Sequence, residues 1–421
     1  MKRDFLRKMM SNSVAQGLNF GSRWLLNLAL ARHMLETEFG IFSFVYMLAN
    51  LFFPTIAFGV NFYLIHHAAS QQNIRHLLSS LIISVLVSIA LLLGLVGYSN
   101  VSGDPLPFEL YLLSLLIGAS WALNQALFCY LKGRQDFASE IQSQLFNGMA
   151  MLLLVALIWF GWTDDTATVL LLLLLISLVP LAFGVHKLWP EFISWWQLAD
   201  NVTDLWHWRS WRARISYAWH DMFAIYLTNI PFIFLAIFST LTELGQFRKA
   251  FILFMPVTLL PVVFSQVLLA KLSAQPAILA KRSLFLRNML WSLPLLSLPY
   301  LVLILTCPWL YPWLLDEALT PQTATLTSLV VFALWLTLVK TYFEVWITAL
   351  GLNHWRAISV TLVALLGSAA YVVINHGLNP ESAAWVFVGS NALAVLFLIG
   401  LSLRGYFRAL TKQATENIEK Q

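Results

Sequence analysis

The feature that most constrains this chain is its succession of long apolar runs. A helix that crosses the hydrocarbon core of a bilayer needs about 20 mostly apolar residues. Only 11% of the residues are charged, against about 25% in a soluble domain, so a water-exposed surface could not be covered. We therefore expect an all-α integral membrane protein of about twelve transmembrane helices. The predicted spans, numbered in chain order, are 11–31, 40–64, 77–98, 109–131, 140–160, 167–187, 214–238, 248–270, 285–306, 322–349, 355–376 and 382–403.

The basic residues predict the orientation of these spans. Cytosolic loops of membrane proteins are enriched in Lys and Arg. If the N-terminus is cytosolic and the spans alternate, most of the 25 Lys and Arg fall on the cytosolic side. The cytosolic segments are then 1–10, 65–76, 132–139, 188–213, 271–284, 350–354 and 404–421. We predict that both termini are cytosolic. Because the positive charge lies in short clusters between apolar runs, we exclude nucleic acid as a partner.

The longest cytosolic segment, 188–213, separates two groups of six spans. It is rich in Trp, and Arg209 and Arg212 lie among its last tryptophans. This mixture is typical of a helix in the headgroup region, and a plain linker is the compatible alternative. We predict an N-terminal lobe at 1–187, an interfacial linker at 188–213, and a C-terminal lobe at 214–421 that ends in a short cytosolic tail.

Two short echoes indicate a duplication of six helices. Residues 38–42 read EFGIF and residues 243–247 read ELGQF, at an offset of 205 (243 − 38). Residues 133–137 read GRQDF and residues 351–355 read GLNHW, at an offset of 218 (351 − 133). Each pair occupies the same place in its predicted half. Two parallel six-helix halves are a known transporter plan, with the substrate path between them.

Span 1 carries a stripe of polar residues. Asn12, Gln16, Asn19, Arg23 and Asn27 follow one another at steps of three or four residues, which keeps them within roughly 80° of a helix. A charge near the middle of a span is costly and usually functional. We predict that the stripe faces a water-filled cavity that receives the substrate. A polar seam against another helix is the alternative.

Span 7 repeats this pattern more weakly. At an offset of 205, Tyr217, Asp221 and Thr228 match Asn12, Gln16 and Arg23, and Asn229 follows. We predict that Thr228 and Asn229 line the cavity. Asp221 is a candidate for binding a coupling cation or carrying a proton, and pairing with a local Arg is the alternative.

Span 10 contains Lys340 and Glu344, four residues apart and therefore on one helix face. One interpretation is an ion pair that lets the helix insert. The other is that Lys340 contacts an anionic substrate and Glu344 tunes it or couples an ion. At the outer start of span 8, Lys249 is a candidate for the rim of the cavity, with a snorkelling side chain as the alternative. More positive than negative candidates favour an anionic substrate such as a diphosphate.

The sequence lacks the motifs of nucleotide, dinucleotide, zinc-protease and nucleophile-elbow sites. Cys129 and Cys307 lie far apart, and His66 and His67 have no nearby carboxylate or cysteine. We therefore predict a protein that is not an enzyme and has no cofactor, no catalytic residue and no metal site.

Three segments carry a family resemblance: residues 12–32, residues 38–42 and the FGVN at 58–61. Together they resemble the opening of bacterial polysaccharide flippases of the Wzx type, which are relatives of the multidrug and toxic-compound extruders. A Gly followed by an aromatic residue four positions on, as at Gly133 and Gly351, is also similar to that family.

The resemblance implies a MATE-like fold of two six-helix lobes around a central cavity, and alternating access. It implies transport of undecaprenyl-diphosphate-linked O-antigen units across the bacterial inner membrane for lipopolysaccharide synthesis. Membrane lipid and polysaccharide polymerases are the implied partners. Arg23 and Lys340 fit the role of holding the diphosphate, as candidates of this sequence and not as motif matches.

Two other functions compete with this one. A cation-coupled drug exporter of the same fold needs a carboxylate within a lobe, and Asp221 and Glu344 are the only ones that lie deep in the predicted spans. A membrane-embedded glycosyltransferase or polymerase would resemble its family in a large external loop, whereas the longest predicted loop here is cytosolic.

Overall fold

The computed structural model describes the backbone of residues 2–60, 63–64, 74–102, 106–134, 136–163, 165–197, 208–273, 275 and 277–419. Within these residues the secondary structure consists of α-helices and two short 3₁₀ helices, with no β-strand. The all-α fold class is therefore confirmed.

Residue contacts divide the chain into two compact units, Met1–Ile225 and Tyr226–Gln421. The first unit contains α1 to α6 and the start of α7, at Lys2–His33, Glu36–Ala57, Ile74–Ser102, Phe108–Gly133, Phe137–Trp159, Thr166–Gln197 and Trp208–Phe238. The second contains the rest of α7 and then α8 to α13, at Leu241–Phe254, Leu259–Ser273, Ile278–Leu315, Pro321–Ala349, Asn353–Ile374 and Pro380–Glu419. The 3₁₀ helices are Met255–Thr258 and Asn375–Gly377.

Capping side chains begin several of these helices. The Asp136 carboxylate accepts a hydrogen bond from the Ser139 amide at 3.2 Å at the start of α5. The Thr320 hydroxyl accepts one from the Thr323 amide at 3.2 Å at the start of α11, where Pro321 occupies the first helical position. Such caps satisfy amides that have no partner inside the helix, and Pro is favoured at that position.

Within the described part of the chain, ten helices are long and apolar enough to cross a membrane, which makes the chain a multi-pass membrane protein. They correspond to ten of the twelve predicted spans. The other two are span 1, which is α1, and span 8. Span 8 is interrupted by the 3₁₀ helix Met255–Thr258, so α8 and α9 contain only 14 and 15 residues.

The helix boundaries repeat along the chain. The first helix ends at His33 and α7 ends at Phe238, an offset of 205 (238 − 33). The next helices begin at Glu36 and Leu241, again 205 apart (241 − 36). The offset equals that of the first sequence echo, so the echo marks the same joint between helices in each half.

The segment 188–213 is helical at both described ends. The sixth helix runs on to Gln197, ten residues past the predicted end of span 6, and α7 already begins at Trp208. Residues 198–207 lie outside the described part of the chain. The division into lobes at 188–213 stays a prediction; the contacts place the boundary between the units at Ile225 and Tyr226.

Inside the first unit, α4 packs closely against α2 and α6. A Cβ added to Gly118 would lie 2.9 Å from the Ala49 carbonyl oxygen of α2 and 3.0 Å from Phe52 Cβ. The hydroxyls of Ser120 and Ser177 join α4 and α6 at 2.6 Å. Small and hydroxyl side chains let membrane helices approach and bond to one another.

We expect Gly118→Ala to destabilise the first unit, because the new methyl group meets backbone of α2 that cannot move aside alone. Overpacking of this kind costs about 1–3 kcal/mol. Thermal unfolding of the purified protein measures the loss. Gly94→Ala in α3 is the matched control, since nothing lies within 4 Å of its added Cβ. Equal melting temperatures for the two variants would show that α2 and α4 are not in close contact.

Arg214, near the start of α7, contacts other residues of the first unit. This side chain is fully buried, and its guanidinium carbon lies 4.0 Å from the centre of the Tyr63 ring. It also donates a hydrogen bond to the Ser80 hydroxyl in α3. Cation–π contact and hydrogen bonding together offset part of the cost of burying a charge.

The second unit contains the interrupted helix. Pro261 has no amide hydrogen, so the Val257 carbonyl four residues earlier lacks its helical donor. The buried Tyr300 hydroxyl of α10 donates to this carbonyl at 3.2 Å. Non-helical backbone at membrane depth is tolerated only where protein or a cavity satisfies it. Tyr300 therefore stabilises the break between α8 and α9.

Candidate functional site

A polar cavity of about 280 Å³ lies inside the first unit. It is lined by side chains from α1, α2, α4, α5 and α6. Arg23 of α1 is the one charged residue among its described lining residues. We call this space the Arg23 cavity.

The Arg23 guanidinium lies over an aromatic ring in this cavity. Its central carbon is 5.0 Å from the centre of the Trp121 ring. Its Nε is buried without a hydrogen-bond partner, and no salt bridge to Arg23 occurs within the described chain. The ring stabilises the cation by about 0.5–2 kcal/mol but does not neutralise it, so the positive charge is available to a ligand.

Amide side chains form much of the remaining polar wall, from Asn50, Asn124, Gln125, Gln144 and Asn147. The Asn50 Nδ2 donates to the Tyr46 carbonyl at 2.8 Å. The Asn124 Nδ2 donates to the Ser177 carbonyl at 2.8 Å, and its Oδ1 is buried with no donor. These bonds fix the two amide groups on α2 and α4 with their oxygens left as acceptors.

The cavity wall also contains three aromatic rings, those of Phe53, Trp121 and Phe128. One cation, several amides and aromatic surface suit an anionic ligand with hydroxyl groups. A cationic ligand would meet the charge of Arg23 with no carboxylate among the described lining residues. The charge of this side chain therefore attracts an anion.

The structure separates the predicted stripe of span 1. Arg23 lines the cavity, whereas Asn27 is fully buried and donates its Nδ2 to the Arg23 carbonyl at 2.8 Å. Asn27 thus forms part of the packed interior of the unit. The side chains of Asn12, Gln16 and Asn19 lie outside the described residues.

The span 7 candidates divide between the two units. Thr228 is exposed and Asn229 is 9% exposed, both in the second unit. Asp221 lies in the first unit, where its Oδ1 is 3.3 Å from Nδ1 of His220. Its described neighbour is therefore a histidine and not the local Arg that we considered. The Tyr217 side chain lies outside the described residues.

In span 10, Lys340 is buried at 7% exposure and Glu344 is partly exposed. Although the four-residue spacing allows an ion pair, none joins these two side chains in the described chain. Near them, the Thr337 hydroxyl of α11 donates to Asn391 Oδ1 of α13 at 3.1 Å. Lys340 is one of the buried cations of the second unit, together with Arg248 and Lys249.

Lys249 of α8 has a different environment from the predicted cavity rim. It is 1% exposed and forms a salt bridge with Glu317. Tyr311 donates a hydrogen bond to the same carboxylate at 3.4 Å. Arg248, which precedes Lys249 in the chain, has its guanidinium carbon 5.1 Å from the centre of the Phe232 ring. These contacts give Lys249 a structural partner inside the second unit.

We expect Glu317→Gln to destabilise the second unit by about 1–3 kcal/mol, because it leaves the buried Lys249 without its carboxylate. Adding Lys249→Met removes the unmatched charge and restores part of the loss. Thermal unfolding of the single and double variants measures this coupling, with the exposed Glu381→Gln as a control. Strictly additive losses would contradict a structural pair.

Sequence reasoning missed most of the cavity wall. Asn124, Gln125, Gln144 and Asn147 are amide residues inside otherwise apolar spans 4 and 5. Polar side chains inside spans favour the interior of a bundle. This pattern could have identified the four residues as candidates, although it does not show that they line the same cavity as Arg23.

The chain shares its fold with proteins of known structure. No family model and no curated protein matches the chain. Solved structures do match along nearly the whole chain. An inward-facing multidrug resistance transporter of the MATE family, in the MOP superfamily, has a TM-score of 0.66 at 14% identity, covering 95% of this chain and 96% of that one.

Two further structures differ in what they are described to do. The lipid II flippase MurJ, in an inward closed conformation, has a TM-score of 0.63 at 12% identity, covering 97% of this chain and 93% of that one. A MOP superfamily transporter from Pyrococcus furiosus, described as having a binding pocket of reverse polarity, has a TM-score of 0.58 at 15% identity, covering 96% and 94%. At these identities the likeness shows the fold, and the predicted MATE-like fold is confirmed.

Proposed function

We propose that this protein translocates undecaprenyl-diphosphate-linked oligosaccharide units across the bacterial inner membrane by alternating access, as the resemblance to Wzx-type flippases implies. The observation that carries the proposal is the Arg23 cavity. Its described lining presents one unneutralised cation, several amides and no carboxylate.

Charge complementarity supports an anionic substrate. A guanidinium binds phosphate oxygens through two parallel hydrogen bonds, and such charge-assisted bonds are about twice as strong as neutral ones. The low dielectric of the membrane interior strengthens the attraction further. Within the second unit, Lys340 is buried at 7% exposure without an ion pair to Glu344 in the described chain, so it is a further cation that attracts an anion.

Amides support the glycan part of the proposal. Sugar hydroxyls both donate and accept hydrogen bonds, as do the amides of Asn50 and Asn124. An acceptor that is already buried without a donor, such as Asn124 Oδ1, gains most from such a ligand because its desolvation is no longer uncompensated.

The second candidate is a cation-coupled multidrug exporter of the same fold. The observation that favours it is the partly exposed Asp221. The Oδ1 of its carboxylate lies 3.3 Å from Nδ1 of His220. A carboxylate at this position could bind a coupling ion. It does not line the Arg23 cavity, so this function leaves the cation of that cavity without a role.

The test is a deletion strain of the source organism, in which surface glycan and the leaflet position of the lipid-linked oligosaccharide are assayed. We expect loss of surface glycan, with lipid-linked units trapped on the cytosolic face. Normal surface glycan together with increased drug sensitivity would reject the flippase and favour the exporter. Complementation with the full-length gene controls for effects on neighbouring genes.

A further inference from the structure

We propose that a groove along α13 binds one phospholipid of the bilayer that has an anionic headgroup. The groove has a volume of about 410 Å³, and its described lining residues all belong to this helix: Leu393, Leu396, Phe397, Gly400, Leu401 and Arg404. Five of them have no polar side chain, and the sixth is a cation at one end. We call this space the Arg404 groove. A phospholipid bound there is independent of which substrate the protein transports.

The length of the Arg404 groove matches one leaflet of a membrane. Leu393 and Arg404 are 11 residues apart (404 − 393), which is about 16 Å along a helix. Half of the hydrocarbon core of a bilayer measures about 15 Å. Arg404 is also the first residue of the segment 404–421 that the sequence predicts to be cytosolic. An acyl chain of one leaflet therefore fits along the groove with its headgroup at Arg404.

The apolar wall leaves room for such a chain. Leu396 and Phe397 are 65% and 36% exposed. Between Phe397 and Arg404, Gly400 is exposed, and nothing lies within 4 Å of a Cβ added to it. The missing side chain leaves an open notch on the helix surface, and small residues of this kind let another chain approach a membrane helix closely.

Two arginines provide positive charge near the cytosolic end of α13. The guanidinium carbon of Arg404 lies 5.7 Å from the centre of the Trp355 ring of α12. Arg282 of α10 donates from Nη1 to the Tyr406 hydroxyl at 3.0 Å, and Tyr406 follows Arg404 by two residues. No salt bridge to either arginine occurs within the described chain. A guanidinium binds phosphate oxygens well, and basic pockets between helices on the cytosolic side bind anionic lipid headgroups.

Charge and length together favour an anionic phospholipid over other lipids. The ammonium group of a zwitterionic phospholipid offsets the attraction of its phosphate to Arg404, whereas an anionic headgroup keeps it. An undecaprenyl chain is several times longer than the Arg404 groove and would leave most of its length outside. Only a lipid with a chain of one leaflet and a net negative headgroup uses both the apolar wall and the cation.

Native mass spectrometry of the delipidated full-length protein tests the groove, because each bound lipid is resolved by its mass. The probes are phosphatidylglycerol and phosphatidylcholine with identical acyl chains, glycerol 3-phosphate and undecaprenyl phosphate. We expect the first phosphatidylglycerol to bind about fivefold or more tightly than the first phosphatidylcholine. Glycerol 3-phosphate, which has no acyl chain, should bind more weakly than either phospholipid.

Two pairs of variants connect this binding to the groove. Arg404→Gln should weaken phosphatidylglycerol by about fivefold or more, and phosphatidylcholine by less. The exposed Arg408, one turn further along α13 and outside the described lining of the groove, provides the control Arg408→Gln. Gly400→Leu fills the notch and should weaken both phospholipids by about tenfold. Gly389→Leu is its control, since Gly389 also has nothing within 4 Å of an added Cβ but does not line the groove.

The outcomes distinguish this site from general attraction to the membrane. A preference for phosphatidylglycerol that Arg404→Gln and Gly400→Leu reduce, and their two controls retain, supports the site. Equal binding of the two phospholipids overturns it, as do equal losses in Arg404→Gln and Arg408→Gln, which would indicate diffuse charge. Tighter binding of undecaprenyl phosphate than of phosphatidylglycerol, with the same dependence on Gly400 and Arg404, would assign the groove to an isoprenoid lipid and also overturn the proposal.

Discussion

Arg23→Gln is expected to reduce the export of lipid-linked glycan by about tenfold to one-hundredfold, because a charge-assisted hydrogen bond contributes about 1.5–3 kcal/mol. The side chain keeps hydrogen-bonding capacity but loses its charge, so the cavity no longer contains its cation. Surface glycan of a deletion strain that carries the variant is the measurement. Arg23→Lys should retain part of the activity, since it keeps the charge but not the two-pronged geometry.

The comparison requires that the variants are present in equal amounts and are equally well folded. Arg32→Gln removes an equal charge from the same helix, one that also stacks on a tryptophan. It should export glycan normally. If Arg23→Gln exports as well as Arg32→Gln, the charge of the cavity has no part in transport and the proposed function loses its main support.

Asn124→Asp is expected to have the second large effect, because it places a carboxylate in the wall of the Arg23 cavity. The carboxylate neutralises Arg23 and repels an anionic substrate. An electrostatic change of about 1.4 kcal/mol or more corresponds to at least about tenfold in binding. Export of surface glycan by the variant, compared at equal protein levels, measures the effect.

Asn124→Ala is the matched control for this prediction. Both substitutions remove the hydrogen bond from Asn124 Nδ2 to the Ser177 carbonyl, which measures 2.8 Å. Only the aspartate adds a negative charge. Similar melting temperatures with a much lower export for Asn124→Asp would isolate the charge. Equal export by the two variants would show that the polarity of the cavity does not select the substrate.

Ten of the twelve predicted spans match described helices that are long and apolar enough to cross a membrane, and they could be predicted because each is an apolar run bounded by polar residues. Their ends were less accurate. The second helix stops at Ala57 and not at residue 64, since Phe58 and Gly59 have positive φ angles of 45° and 70°. By contrast, α10 runs from Ile278 to Leu315, beyond the predicted 285–306, with four prolines inside it. A proline in a membrane helix therefore did not mark an end.

The sequence contains a signal for the break in span 8, although we predicted 248–270 as one uninterrupted helix. Pro256 and Pro261 lie five residues apart in the middle of that run, and each removes a backbone donor. The structure interrupts the helix at Met255–Thr258 and supplies a donor from Tyr300. The position of Tyr300 depends on how α10 packs, which a single run of residues does not encode.

The charged residue of the candidate site could be predicted from the sequence, but the other residues that line the cavity could not. Arg23 stood out because one charged residue in the middle of a span is rare. Trp121, Asn124 and Gln144 reach it from α4 and α5, and their meeting depends on the order and rotation of separate helices. Lys249 was an equally good candidate by charge, yet Glu317, 68 residues away in the chain, forms its ion pair.

Translocation by the purified full-length protein in liposomes tests the central claim most directly. The liposomes contain undecaprenyl-diphosphate-linked oligosaccharide in which a labelled sugar can be modified only from outside. The account predicts that the protein moves this substrate between leaflets, and that Arg23→Gln does so about tenfold or more slowly than Arg32→Gln. No movement of the lipid-linked sugar, with uptake of a cationic dye driven by a proton or sodium gradient, would contradict the account.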